Sequence, residues 1–418
     1  MTSPELAEEV LDDPQLLRAR DPRGLLPAVA GAGAQVRETA SLAAEAGLER
    51  ITRAGRPRSL VVVARREGAV AAALLRALLG PGSPVAVDVV PGPRLPVWTG
   101  ASDVAVVATR TGAGQYAVAP AYEAARRGVA LLGIGAEDAP LHAACAGARA
   151  PYVPLPPGRV QHTTLWSLLT PVLGLAAGLD LLPAGADRLT GGVADALDGV
   201  AAACGPVVPT YANPAKTLAL QLLDALPVVV AEGPLAGAAA GRVADQLATL
   251  AGLPAAAYRL PDQRAAACTV LGGPLAPVDA DDFFRDRADD EGRRLRLIAV
   301  GDDQAGADEG LGERDPRSAA DALQQVLRTA AERTVPVSSL ADLVSDGGAD
   351  RPTDRPGVSD VDRDAGDASG YGARFGSPAD HRLARVARQI AVGDFAAVYL
   401  ALALDAERGR GPGSTLLP

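Results

Sequence analysis

The sequence has few aromatic side chains and no excess of positive charge, and both absences restrict what it can bind. Phe, Trp and Tyr make up 3% of the 418 residues, which argues against aromatic platforms that stack on bases or sugars. The net charge at pH 7 is −10. Because nucleic-acid-binding proteins present basic stripes to phosphates, we expect no nucleic-acid partner.

Cysteine is scarce as well. Cys145, Cys204 and Cys268 are far apart in sequence and form no CxxC pair, so we expect free, buried thiols in a reducing compartment. The N-terminal stretch MTSPELAEEVLDDP is acidic and lacks the apolar core of a signal peptide. Together these features predict a cytoplasmic protein.

The sequence shows no pattern typical of a membrane span or a metal site. The most apolar stretch, LLTPVLGLAAGLDLL from Leu168, contains a proline and is too short for a span, so it predicts a buried helix and no membrane partner. DVDRDAG from Asp360 resembles an EF-hand start, but Gly366 stands one position late and Tyr371 replaces the final Glu. The acidic stretch DADDFFRDRADDE lacks metal-ligand spacing. We therefore expect no metal and no cofactor.

From Ser59 onward, short apolar runs alternate with helical patterns. The runs are SLVVVA, PVAVDVV, DVAVVAT, VALLGIG and APYVPL, and helix-like stretches such as GAVAAALLRALLG and APLHAACAGA separate several of them. Continuous apolar strands between helices predict a parallel sheet that is covered on both faces. Ligands of such sheets bind at the carboxyl ends of the strands.

A second alternation follows a long helical segment that runs from about Thr163 to Val200. The strand-like runs are LPVVVAEG, AAAYRL, RLRLIAV and VPVSSL, and DPRSAADALQQVLRTAAER predicts an amphipathic helix. Near the end, LARVARQIAVGDFAAVYLALALDAER predicts an apolar helix that packs back on the core. The predicted fold is therefore α/β, with two tandem domains that are each a parallel sheet flanked by helices.

The same pattern gives a predicted division of the chain. Residues 344–380 are rich in Asp, Gly, Pro and Arg and almost free of apolar residues, so they predict a disordered insertion in the second domain. The predicted segments are an N-terminal helical segment at 1–45, a first domain at 46–182, a linker helix at 183–209 and a second domain at 210–418.

The turn after DVAVVAT is suited to an anion. It is small and rich in hydroxyl groups, and a helical pattern follows it. The amides at a helix N-terminus and the helix dipole both favour a bound phosphate. The alternative is an ordinary strand-to-helix turn with polar caps. The candidate binding residues are Thr109, Arg110, Thr111, Gly112, Gly114 and Gln115.

Four longer motifs carry a family resemblance. They are RLPVW from Arg94, NPAKTLALQLL from Asn213, LPVVVAEGPLAG from Leu226 and DDFFRDRADDE from Asp281. The chain resembles the bifunctional phosphoglucose/phosphomannose isomerases of the sugar isomerase (SIS) fold, and more narrowly their actinobacterial relatives. The resemblance covers nearly everything except the insertion. It implies two tandem SIS domains, a sugar phosphate ligand, no metal and a homodimer.

The resemblance also implies a reaction, the interconversion of an aldose and a ketose. In the family a carboxylate moves a proton between C1 and C2, a histidine helps to open the ring, and a loop of the pattern SxSGNTEE holds the phosphate. Residues 109–116 match that loop in two hydroxyls and the first glycine, while Gln115 and Tyr116 replace its acidic pair. A second family loop, GMGGSA, matches residues 64–69, where Arg66 and Glu67 are expected to crowd a ligand.

The residues that carry catalysis in the family are replaced here. Thr249 occupies the position of the base glutamate, and the stretch 261–266, which matches the histidine motif, contains no histidine. The family's arginine is missing near Thr163. The chain has only three histidines, which are His142, His162 and His381.

Three residues are candidates for a replaced catalytic role. Glu232 and Asp262 follow predicted strands, so either carboxylate is a candidate base, and the alternative is a solvated loop carboxylate. His162 lies just before the apolar helix and is a candidate acid, or else a polar residue at a helix start. Lys216 begins a helix in NPAK, where a surface or packing role is the expectation.

Two functions remain open on these grounds. The first is an isomerase acting on glucose 6-phosphate, mannose 6-phosphate or fructose 6-phosphate, as the resemblance implies. The second is a catalytically degraded protein that binds a sugar phosphate, or only a partner protein, and regulates sugar metabolism. The replaced glutamate, histidine and arginine positions favour the second.

Overall fold

The computed structural model describes most of the chain and confirms the α/β class with two parallel sheets. Several sequence predictions fall outside the described residues, namely the acidic stretch from Asp279, the Asp-rich DVDRDAG and the tail after Glu407. The predicted insertion at 344–380 also falls outside, except that 378–380 already belong to a helix. The described residues are 4–182, 186–276, 294–301, 316–343 and 378–407.

The described chain begins with five helices. They are α1 (Pro4–Asp12), α2 (Pro14–Arg20), α3 (Leu25–Ala30), α4 (Ala32–Glu45) and α5 (Glu49–Thr52). The Asp13 carboxylate accepts hydrogen bonds from amides in the first turn of α2, and Asp21 does the same for α3. Such caps satisfy amides that have no partner inside the helix.

The five strands predicted in the first half are present as β1 (Ser59–Ala64), β2 (Ala86–Val90), β3 (Val104–Ala108), β4 (Ala130–Ala136) and β5 (Tyr152–Leu155). They form one parallel sheet in the order β2-β1-β3-β4-β5. In β1, Leu60 and Val62 belong to the central core, while Val61 and Val63 belong to a separate core on the outer face. Burial on both faces explains why this strand is continuously apolar.

Helices cover the two faces of this sheet. They are α6 (Glu67–Leu79), α7 (Gln115–Arg127) and α8 (Pro140–Gly147). α6 follows β1 and packs its leucines into the central core, whereas α7 follows β3 and packs with α8 on the outer face. α6 and α7 therefore begin at the same edge of the sheet, where the strands end.

The long helical segment is divided into α9 (Leu165–Gly178) and α10 (Ala186–Ala203). α9 contains the apolar stretch from Leu168, and nearly all of its side chains are buried in the central core. The prediction of a buried helix there is confirmed.

The second sheet contains the four predicted strands, β6 (Ala225–Glu232), β7 (Ala256–Leu260), β8 (Arg294–Val300) and β9 (Val337–Ser339). All are parallel, in the order β7-β6-β8-β9. The helices of this half are α11 (Pro214–Leu222), α12 (Gly233–Ala251), α13 (Arg264–Leu271), α14 (Pro316–Glu332) and α15 (Leu340–Leu343).

Lys216 has a packing role in α11. Its side chain is fully buried, and its ammonium donates hydrogen bonds to the carbonyls of Pro206 and Val208 at 2.9 and 2.7 Å. Asn213 caps the same helix through its side-chain oxygen. Burial lowers the pKa of Lys216, and the nearby Asp12 carboxylate opposes that shift. The lysine therefore holds the loop before α11 in place.

The last described helix, α16 (Pro378–Glu407), lies at the centre of the molecule. It packs on α10, α11 and α12, and the Tyr399 hydroxyl donates to the Cys204 carbonyl at 2.7 Å. By length and hydropathy, residues 382–404 could cross a membrane, but 94% of the tested window is buried inside the protein. Its apolar surface is thus used in the core, as predicted.

Candidate functional site

An open cavity of about 270 Å³ lies where β1 and β3 end and α6 and α7 begin. Most of its wall comes from the turn after β1 and from the turn after β3 together with the start of α7. Pro91 after β2, Gln161 from the loop before α9 and Leu168 of α9 complete it. This position matches the general rule for parallel sheets. We refer to it as the strand-end cavity.

The turn after β3 supplies Thr109, Arg110 and Thr111 to the cavity wall. The Thr109 amide donates to the Ile134 carbonyl at 3.0 Å, which continues the pairing between β3 and β4. The Arg110 guanidinium lies 3.4 Å from the Arg159 carbonyl, a long contact that leaves most of its donors available. The three side chains thus offer two hydroxyls and one cation to the same space.

Gly112 has a packing role in this turn. Its φ is +62°, and a Cβ there would lie 2.5 Å from the Ala139 Cβ. Its carbonyl accepts a hydrogen bond from the Leu141 amide at 3.0 Å. Gly112 is buried and does not line the cavity, so it sets the path of the turn rather than touching the cavity.

Gly114 and Gln115 form the junction between the turn and α7. Gly114 has φ +80° and precedes the helix without a side-chain cap. The amides of Ala117 and Val118 bond back to the Gly114 carbonyl, so those of Gln115 and Tyr116 lie at the free end of the helix. The side chain of Tyr116 lines the cavity, whereas Gly114 and Gln115 do not.

The turn after β1 carries charged side chains that also line the cavity. Arg65 and Arg66 are exposed, and the Arg65 guanidinium lies 4.5 Å from the centre of the Tyr116 ring. Arg66 has φ +50°, a conformation that favours glycine. Despite these bulky residues, the turn leaves the cavity open. Sequence reasoning treated Arg66 and Glu67 only as obstacles, although both follow β1 directly and so had to lie at this edge.

Glu67 is the only carboxylate among the described residues that line the cavity. Its side chain is largely buried, with 8% of the residue exposed. One of its oxygens accepts a hydrogen bond from the Thr164 amide at 2.9 Å, just before α9. Glu67 is the first residue of α6, and this hydrogen bond connects the start of that helix to the loop before α9.

His162 lies in that loop and does not line the cavity. Its carbonyl accepts hydrogen bonds from Arg242 and Gln246 of α12, both at 3.0 Å. Arg242 also forms a buried ion pair with Asp394 of α16 at 2.8 Å. Burial lowers the pKa of the His162 imidazole, although the nearby Glu67 opposes the shift. Burial raises the pKa of Asp394 in spite of the arginine.

The structure does not bring the other two catalytic candidates to the cavity. Glu232 ends β6 and Asp262 follows β7 in an exposed turn, so both lie at the second sheet. Thr249, at the position of the family's base, is exposed on α12. The proposed catalytic set of Glu232, Asp262 and His162 therefore does not converge on the strand-end cavity.

The described part of the chain has no metal-binding cluster, and two of its three free thiols are buried. No group of three or more His, Cys, Asp or Glu side chains there is arranged to hold a metal ion. Cys145 and Cys204 are buried free thiols, and burial raises the pKa of each to about 12. Such thiols are poor nucleophiles at neutral pH.

Comparisons with known proteins agree with this architecture. Residues 211–345 match the family model described as the bacterial phospho-glucose isomerase C-terminal SIS domain, so the resemblance drawn from the sequence is confirmed there. No curated protein matches the chain.

Solved structures share the fold of nearly the whole chain. A candidate phosphosugar isomerase from Silicibacter pomeroyi is 16% identical with a TM-score of 0.54, over 93% of this chain and 99% of that one. The C-terminal domain of glucosamine-fructose-6-phosphate aminotransferase from Francisella tularensis is 12% identical with a TM-score of 0.54, over 91% and 96%. Another candidate isomerase, from Clostridium difficile, is 10% identical with a TM-score of 0.55, over 94% and 95%. At such identities the likeness concerns the fold alone.

Proposed function

We propose that this protein binds a sugar phosphate without isomerising it. The chain has two SIS-type parallel sheets, and residues 211–345 match a C-terminal SIS domain of the bacterial phosphoglucose isomerase type. The observation that carries the proposal is the strand-end cavity. Hydroxyls, a guanidinium and the free end of a helix meet there, at the carboxyl ends of two parallel strands.

In this proposal the phosphate lies against the turn after β3. Thr109 and Thr111 donate from their hydroxyls, Arg110 supplies a charge-assisted hydrogen bond, and the amides at the start of α7 complete the cradle. The sugar extends toward Gln161 and Glu67, whose amide and carboxylate groups suit hydroxyl groups.

Binding without turnover is favoured because the family's catalytic glutamate, histidine and arginine positions are replaced, and the cavity has a single carboxylate among its described lining residues. Aldose–ketose isomerisation needs a carboxylate placed to move a proton between neighbouring carbons. Glu67 is the only carboxylate among the described cavity residues, and it already accepts the Thr164 amide. We propose that the protein regulates sugar metabolism in the cytoplasm as a homodimer.

One observation favours the isomerase as a second candidate. Glu67 lines the cavity, and only one of its two carboxylate oxygens, Oε1, accepts the Thr164 amide. A carboxylate with one oxygen held in place can act as a general base through the other. In this alternative, Glu67 moves the proton and Glu232 has no catalytic role.

The first test is calorimetric titration of the protein with fructose 6-phosphate, with inorganic phosphate as a control ligand. We expect binding of the sugar phosphate, and we expect the double variant Thr109→Ala/Thr111→Ala to lose about 1–3 kcal/mol of binding free energy, because two hydrogen bonds to a charged group are removed. The matched control is Thr269→Ala, an exposed threonine on α13. Undiminished affinity in the double variant would remove this turn from the site.

The second test is an isomerase assay with glucose 6-phosphate, mannose 6-phosphate and fructose 6-phosphate. We expect no turnover by the unmodified protein. If turnover is measured, the non-catalytic proposal is wrong. Glu67→Gln and Glu232→Gln then identify the base, since the correct variant loses turnover while it keeps affinity.

A further inference from the structure

The strand-end cavity carries more positive charge than one phosphate requires. Arg65, Arg66 and Arg110 all line it, against the single carboxylate of Glu67 among the described lining residues. Only Arg110 belongs to the turn that the proposed function assigns to the phosphate. The other two cations belong to the opposite wall.

That opposite wall resembles the first in its construction. Arg66 precedes α6 as Gly114 precedes α7, and neither position provides a side-chain cap. Each helix has 13 residues and a partial positive charge at its N-terminal end. In α6 the Glu67 carboxylate lies in the first turn and offsets part of that charge, whereas α7 has no acidic residue there. Two helix ends and three guanidinium groups therefore surround one cavity.

The two arginines of this wall have no competing anionic partner. In the part of the chain that the structure describes, neither Arg65 nor Arg66 forms an ion pair or a side-chain hydrogen bond. The Arg65 guanidinium rests on the Tyr116 ring, which orients it at the cavity wall. Arg66 occupies a backbone conformation that favours glycine, so the turn holds this cation in place at a cost in backbone strain.

We propose that the ligand carries two separate anionic groups, as a sugar bisphosphate or a phosphorylated sugar acid does. One group lies on Thr109, Arg110, Thr111 and the start of α7, and the second lies on Arg65, Arg66 and the start of α6. This inference rests on the proposed function, because it assumes that the cavity binds a sugar phosphate. It narrows the proposed ligand from any sugar phosphate to a sugar that carries two anionic groups.

The test compares three ligands by calorimetric titration of the full chain: fructose 6-phosphate, fructose 1,6-bisphosphate and 6-phosphogluconate. We expect at least one of the doubly anionic ligands to bind about tenfold or more tightly than fructose 6-phosphate, because a second anion meets two guanidinium groups. This ratio should decrease at high ionic strength. The relative affinity of the bisphosphate and the sugar acid shows whether the second group is a phosphate or a carboxylate.

The variant Arg66→Gly removes one cation and suits the backbone at that position, so it is expected to fold. We expect it to weaken the doubly anionic ligand more than fructose 6-phosphate, so that the affinity ratio falls toward one. The matched control is Arg76→Ala, which removes the same charge from the far end of α6 and should leave the ratio unchanged.

The outcomes separate this inference from the proposed function. If fructose 6-phosphate binds but the doubly anionic ligands bind no more tightly, or if Arg66→Gly leaves the ratio intact, the second anion site is refuted and the proposed function stands. If none of the three ligands binds, the proposed function fails and this inference fails with it.

Discussion

Gly112 determines the path of the turn that forms one wall of the strand-end cavity. Its φ is +62°, and a Cβ at this position would lie 2.5 Å from the Ala139 Cβ, so there is no room for a side chain. Gly114, two residues later, also has positive φ, but a Cβ there meets nothing within 4 Å. Gly112 is therefore required both by its backbone conformation and by the lack of space for a side chain, whereas Gly114 is required by its backbone conformation alone.

We expect Gly112→Ala to lower the free energy of unfolding by about 2–4 kcal/mol, from backbone strain plus overpacking. Gly114→Ala, the matched control, should cost only about 1–2 kcal/mol from backbone strain. Urea denaturation of both variants measures the difference. Equal losses in the two variants would show that Ala139 does not restrict the turn.

At this scale the sequence located the turn but not the whole cavity. Thr109, Arg110 and Thr111 could be predicted because they follow an apolar run at the end of a parallel strand. Arg66 and Glu67 were expected beside the ligand only as obstacles, and Arg65 was given no role. That these side chains line an open cavity depends on β1 lying beside β3, which periodicity does not reveal. Whether any of these residues binds a ligand stays a prediction.

The pair α12 and α16 connects the second sheet to the loop beside the cavity. Arg242 and Gln246 of α12 hold the His162 carbonyl, and Asp394 of α16 holds Arg242 and Gln246 in turn. The His162 backbone has φ +74°. Side chains of two helices in the second half of the chain therefore hold this loop of the first half in an unfavourable backbone conformation.

We expect Arg242→Met to lower the free energy of unfolding by about 3–5 kcal/mol, because it leaves the Asp394 carboxyl buried without its cation. The double variant Arg242→Met/Asp394→Leu should recover most of that loss. Arg37→Met is the matched control; it removes two solvent-exposed ion pairs, with Asp195 and Asp198, and should cost about 0–1 kcal/mol. Denaturant titration of the variants checks all three, and no recovery in the double variant would contradict the account.

Most helices and strands could be predicted from the sequence, because short apolar runs and amphipathic stretches alternate clearly. The strand order could not, since β2-β1-β3 requires contacts between distant residues. The network around Arg242 was also out of reach, because the partners of Arg242 in His162 and Asp394 stand 80 and 152 positions away in the sequence and no local pattern marks them. The predicted domain boundaries stay predictions.

The whole molecule is built around one central core that both sheets share. The inner faces of β1 and β3 and that of β6 belong to a single cluster of buried side chains, together with α9, α10, α12 and α16. Each sheet has a smaller separate core on its outer face. The two halves therefore depend on the same buried interior.

We expect Phe395→Ala in α16 to lower the free energy of unfolding by about 3–5 kcal/mol and to shift the unfolding of both halves together. The two tryptophans, Trp98 and Trp166, lie in the first half, so their fluorescence reports on a region distant in sequence from residue 395. Far-UV circular dichroism reports on the entire chain. Coincident transitions by both probes would indicate one cooperative unit.

The control for this prediction is Tyr211→Ala, which removes an aromatic ring that is 86% exposed and should change stability little. A fluorescence transition that stays in place while the circular dichroism transition moves would show that the halves unfold independently.

The central position of α16 has a consequence for how the protein is made. α16 is the last described helix in chain order, yet it fills the middle of the shared core. During synthesis, α10, α11 and α12, against which α16 packs, leave the ribosome before α16 does. The nascent chain therefore exposes apolar surface until residues 378–407 emerge, and only then can its interior close.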